Sequence, residues 1–135
     1  MSRGLKNNNP GNIRCSVTTY QGEIRPSTDS AFKQFQSMAY GYRAMFMVLY
    51  TYQKRHNLNT IRQMISRYAP PVENHTDKYI EAVSAWSGVG ADSNISTTCR
   101  DSMVPIVAAM SRMENGVPAV LADVKAGWAL FESCL

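Results

Sequence analysis

Glu114 closes the apolar run "IVAAMSRMENG", one residue before an Asn-Gly turn. Apolar spacing makes that run a helix, so the carboxylate meets the negative end of the helix dipole, a misfit of roughly 0.3–1 kcal/mol. Apolar surroundings and the dipole both raise a carboxyl pKa, which is what a general acid working near neutral pH needs. The competing reading is an exposed surface glutamate. A second stretch, "KNNNPGNIR", concentrates amides around a Pro-Gly turn. Asparagine tolerates left-handed backbone and bonds its own main chain, so Asn8, Asn9 and Asn12 either knit a structural turn or line a groove. In a groove their amides would donate to and accept from acetamido and hydroxyl groups of a sugar. A third, "RYAPPVENHTDKYIEAV", bends at Pro70-Pro71 and leads Glu73 and Asn74 into a helix. Asn74 suits a helix amino terminus and Glu73 stays open. Tyr68 and Tyr79 fit either a core or a groove wall.

The elements that must position these residues are mostly helical. One chain of 135 residues, 44% hydrophobic and 18% charged, makes a single domain, 1–135, with a real core. Residues 1–36 are polar and turn-rich, with a short hairpin or β-like excursion expected on either side of Gln21-Gly22. Ser37 is placed to cap a helix whose stripe is Met38, Tyr42, Met45, Phe46, Leu49 and Tyr52 or Gln53, and Gly41 inside it points to close packing. That helix ends at the cations Lys54-Arg55-His56. Thr60 to Gln63 is a capping box opening "TIRQMISRY". Asn74 or Thr76 would cap "DKYIEAVSAW", closed by Gly88. Asp101 or Ser102 would start the Glu114 helix, with Pro105 in its first turn and Gly116 after its end, and Asp123 would cap a last helix. The class is mainly α (α+β), four or five helices with one small irregular, β-containing lobe.

Other chemistries have little support. Cys15, Cys99 and Cys134 are odd in number and widely spaced, so they read as reduced or buried thiols, and His56 and His75 stand apart; no metal and no cofactor is expected. No apolar run reaches the roughly 20 residues of a membrane span, and the start lacks the apolar stretch of a signal peptide, so membrane insertion is not expected. The net charge of +4 suits a polyanionic partner such as a cell-wall polymer. A helix-turn-helix reading of residues 60–86 puts Glu73 and Asp77 at the start of the second helix, the wrong sign for a DNA groove. No nucleic-acid partner is expected.

"RGLKNNNPGNIR", "FKQFQSMAYGYRAM", "TIRQMISRYAPPVENHTDKYIEAV" and "MSRMENG" together resemble phage and prophage virion proteins, of structural or lysozyme-like muralytic type, from Arg3 to about Phe131. A more distant likeness is to lytic transglycosylases and bacterial glucosaminidases. There a helix ends in a Glu-Ser-Gly catalytic acid, and an Asn-rich loop, a hairpin and a helix entry follow. Asn8, Asn9, Gly11, Asn12 and Ile13 match the loop, Tyr20 and Gly22 the hairpin, and Phe32, Phe35 and Ser37 the helix entry. The Glu helix stands at the other end of this chain, as after a circular permutation, and Asn115 replaces the serine.

The resemblance implies a lysozyme-like domain that cleaves peptidoglycan glycan strands, with Glu114 as general acid and base and the substrate's own acetamido group as nucleophile. Glu23 is the second carboxylate if one takes part, and Glu23 and Glu73 are the alternative acids. Carboxylates about 5 Å apart would retain anomeric configuration, and about 6.5–9.5 Å apart would invert it. Asn8, Asn9, Asn12, Asn74 and Asn115 would bind the substrate, and Tyr20, Tyr68 and Tyr79 would face the sugars. The implied partners are peptidoglycan and other virion proteins. The implied location is the virion, or the bacterial cytoplasm before release to the cell wall. The alternative is a non-catalytic virion structural or wall-binding protein.

Overall fold

The computed structural model describes residues 1–71 and 75–135. Its elements run α1 (Arg3–Lys6), β1 (Glu23–Ile24), β2 (Gln34–Phe35), α2 (Met38–His56), α3 (Ile61–Tyr68), α4 (Thr76–Ser87), α5 (Arg100–Asn115) and α6 (Leu121–Glu132). The protein is mainly helical, with a two-stranded antiparallel sheet near the amino terminus.

Local chemistry sets most helix ends. The Ser37 and Thr60 side chains accept from the backbone N–H groups of Tyr40 and Gln63, and Asn57, Gly88 and Gly116 close α2, α4 and α5 in left-handed conformation. The Gln63 side chain reaches back to the Asn59 N–H at 2.7 Å, one residue earlier than a standard capping box. Three starts differ from expectation. Thr76 is the first residue of α4 instead of its cap, because its hydroxyl donates to the Ala69 carbonyl. α5 begins at Arg100, so Pro105 falls in the second turn. α6 begins at Leu121, and Asp123 lies in its first turn, favourable to the dipole without being the cap.

α2 packs most extensively on α6, and α4 on α5. Phe46, Trp128 and Phe131 form the aromatic knot of the first pair, with Phe46 edge-on to Trp128 at 5.0 Å between centroids. Each such fully buried side chain contributes about 1.5–3 kcal/mol relative to exposure. The Tyr42 hydroxyl and Ser111 Oγ, 2.8 Å apart, join α2 to α5 inside this core.

The amino-terminal lobe forms differently from the expected hairpin. Gln21-Gly22 precede β1, and the chain returns to β2 through residues 25–33. Glu23 faces Phe35 and Ile24 faces Gln34, with a further bridge between Arg14 and Phe32. Gly22 is instead held by distant groups: its carbonyl accepts from the Gln36 N–H at 2.9 Å, and its Cα lies against the Tyr40 ring. The return loop is organised by Asp29, whose carboxylate accepts from Arg3, Asn7 and the backbone N–H groups of Ala31 and Phe32. All three cysteines are exposed and unpaired, so none is the buried thiol that was the other expectation.

Candidate functional site

In the asparagine turn, Asn8 and Asn12 adopt φ of 52° and 50°, the left-handed region that asparagine enters most readily among non-glycine residues. Asn8 donates from Nδ2 to the Phe35 carbonyl at 3.2 Å, and its own carbonyl lies against Gly41 so closely that a β-carbon there would overlap it. The close packing expected at Gly41 therefore seats the turn on α2. Asn9 is fully buried: Nδ2 donates to the Ile13 and Lys33 carbonyls at 2.9 Å, and Oδ1 accepts from the Ile13 N–H at 3.0 Å.

Asn115, at the end of α5, ties this turn to the acid helix. Its Nδ2 donates to the Pro10 and Ser111 carbonyls, both at 2.8 Å, and its Oδ1 accepts from the Ser2 hydroxyl at 2.6 Å. Glu114, its neighbour, is thereby turned towards the amides. The Asn12 Nδ2 donates to Glu114 Oε1 at 2.9 Å, and the Tyr79 hydroxyl donates to Oε2 at 2.9 Å. The two chain regions, distant in sequence, face each other across one cleft. Burial raises the Glu114 pKa above the usual carboxyl range, while the bonds from Asn12 and Tyr79 oppose the rise by stabilising the anion. Burial and the nearby Glu114 push the Tyr79 and Tyr68 phenols well above their ordinary value, so both stay protonated donors. Among the described residues Asn12 Oδ1 is buried without a partner. Rotation of that amide would offer an acceptor to a protonated Glu114, so one side chain can serve both states of the acid.

Glu114 opens into a cavity of about 190 Å³ whose lining includes Gly11, Asn12, Arg14, Phe32 and Tyr68. Among the described residues lining it, Glu114 is the sole carboxylate. Asn12, Arg14 and Tyr68 also line an open groove of about 640 Å³ that continues to Tyr20, Tyr52 and Arg67. The Tyr68 hydroxyl donates to the Gly11 carbonyl, and a β-carbon at Gly11 would meet that same hydroxyl, so glycine permits the contact.

Of the residues expected at a site, Glu114, Asn12, Tyr68 and Tyr20 lie on the cleft and groove. Others are placed elsewhere. Glu23, the expected second carboxylate, is almost wholly enclosed and paired with the equally buried Lys33 Nζ at 3.0 Å, which makes it a structural ion pair. Asn9 and Asn115 have their amides engaged by the protein itself, and Asn8 faces β2 and α2. Tyr79, 4% exposed, holds the acid and offers no face to a sugar. Glu73 and Asn74 lie outside the described residues. Arg14, Phe32, Tyr52 and Arg67 were not anticipated. Arg14 and Phe32 are brought together by the bridge between their backbones, with the guanidinium over the ring, and nothing in the local sequence marks that pairing.

No family model matches the chain. It is 33% identical over 132 residues to "Protein P5" of Pseudoalteromonas phage PM2, an alignment that covers 94% of this chain and 80% of that protein.

Proposed function

The chain belongs to the family of Protein P5 of Pseudoalteromonas phage PM2, and from that premise we propose that it is a phage-particle protein whose Glu114 cleft cleaves the glycan strand of peptidoglycan. The carrying observation is the acid itself: a carboxyl group raised in pKa by burial, open to a cavity, and held by the Asn12 amide and the Tyr79 hydroxyl. With Glu114 as the sole carboxylate among the described lining residues, substrate assistance is the fitting mechanism. Glu114 protonates the glycosidic oxygen while the sugar's own acetamido oxygen attacks the anomeric carbon. The same carboxylate then removes a proton from the incoming acceptor, water for hydrolysis or the C6 hydroxyl for an anhydro product. Tyr68 and Tyr20 supply aromatic faces along the groove, and Asn12 is the amide nearest the acid.

A second reading keeps the particle and drops the chemistry: a virion structural or wall-binding protein associated with other particle components. The kinship to a phage protein supports this reading more directly than it supports cleavage, which rests on the geometry of the cleft. Mass spectrometry of purified peptidoglycan after incubation separates the two. Cleavage predicts released muropeptides from the wild type and none from Glu114→Gln at an undiminished melting temperature. Sedimentation of the protein with insoluble peptidoglycan, without any soluble fragment, would leave the second reading.

A further inference from the structure

The groove leading away from Glu114 carries two exposed cations, Arg14 and Arg67, that form no ion pair among the described residues. Arg3 and Arg62 differ in this respect, being closed bidentately on Asp29 and Asp92. Each groove arginine instead lies over an aromatic ring, Arg14 at 5.2 Å from the Phe32 centroid and Arg67 at 5.3 Å from that of Tyr52. The cation–π contact holds each guanidinium beside its ring without an ion-pair partner among the described residues, so its N–H groups can meet a planar anion. No carboxylate lines the groove among the described residues. Asn12, Arg14 and Tyr68 belong to both the groove and the acid cavity, so a chain lying in one presents its next unit to Glu114.

We propose that Arg14 and Arg67 are specificity residues that read carboxylates on the glycan, so that this site prefers an acidic, carboxylate-bearing strand to a neutral one. The inference rests on reading the cleft as a sugar site. In peptidoglycan the carboxylate has two alternative sources: the lactyl group of a muramic acid that carries no peptide, and the stem peptide's own carboxylates where a peptide is joined by an amide to that group. Both offer the geometry that an arginine fork takes. A phosphate polymer is the weaker candidate, since two separated cations release few counterions.

The test is calorimetric binding to the Glu114→Gln protein, in which cleavage cannot consume the ligand. The ligands are a neutral chitin tetrasaccharide, the alternating muramic acid tetrasaccharide without peptide, the same tetrasaccharide with stem peptides, and a thymidine oligonucleotide. An acidic glycan should bind roughly tenfold tighter than the neutral one, as hydrogen bonds to charged groups do at a partly exposed site. Added salt should shrink the difference. A gain already present without peptide assigns the lactyl carboxylate, and a gain only with peptide assigns the stem. Adding Arg14→Gln or Arg67→Gln should bring the acidic glycan down towards neutral affinity at unchanged melting temperature. Equal binding of neutral and acidic strands would overturn the inference. So would a preference that survives both arginine changes, oligonucleotide binding as tight as that of the acidic glycan, or no binding by any ligand. Acidic preference in a protein whose wild type releases no muropeptides would remove catalysis and keep this inference, whereas cleavage without preference would do the reverse.

Discussion

At the scale of single residues, Glu114 is a balance of opposed effects, and the balance has a sign that can be measured. Its pKa is raised in the folded state, so the folded protein binds the proton more readily than the unfolded chain does. Stability contributed by this group therefore falls as pH rises from the ordinary value near 4.5 through the raised one. Glu114→Gln removes that loss. The melting temperature of the variant, relative to wild type, should accordingly increase from pH 4 to pH 7, and a constant difference across that range would contradict the burial argument. The donors act the other way. Tyr79→Phe removes a bond that lowers the Glu114 pKa, so the midpoint of its carboxyl titration by NMR should move up, with a stability loss of about 1–2 kcal/mol. Glu23 makes the contrasting case of a carboxylate whose environment is structural. Glu23→Gln leaves Lys33 buried and uncompensated, which should cost about 3–5 kcal/mol in denaturant unfolding.

At the scale of elements, the contact between the asparagine turn and α2 decides whether the cleft has a wall. Alanine is the better helix former by about 1 kcal/mol, yet at Gly41 its β-carbon would run into the Asn8 carbonyl, which is backbone and cannot rotate aside. Gly41→Ala should thus lower stability by about 1–3 kcal/mol, the usual penalty of overpacking, instead of raising it, and thermal melting checks the sign. Helices were legible because their signals are local. Ser37, Thr60, Gly88 and Gly116 act on their own backbone neighbours, and all four end helices where the sequence places them. The β-containing lobe was legible only as a region. Its register depends on Asp29 reaching Arg3 and Asn7, and on Gly22 meeting Tyr40 and Gln36, pairings that no spacing rule reveals. Glu114 was legible as a misfit, and Asn12 as an amide near a turn. That Asn9 would be swallowed whole while Asn12 faced the acid depends on one turn of backbone, which composition does not encode.

At the scale of the whole molecule, the amino-terminal lobe that carries the asparagine turn is held together by an acid-sensitive cluster. Asp29, held well below the usual carboxyl range by Arg3 and by the backbone N–H of Ala31, adds stability that is present above the ordinary value of 3.8 and disappears as pH falls through its folded value. Protection of the Ala31 and Phe32 amides, relative to intrinsic exchange at the same pH, should therefore fall below about pH 4 ahead of that of the α2–α6 core; simultaneous loss of both would show that the lobe does not open separately. Cys99 and Cys134, both exposed, have thiol pKa values lowered by Ser102 and by Arg43 respectively. Maleimide dyes will accordingly couple there under mildly neutral conditions, giving fluorescent copies without engineering. In an oxygen-rich, reductant-free milieu the same outward sulfurs will staple one copy to the next, which a non-reducing gel would reveal as a ladder.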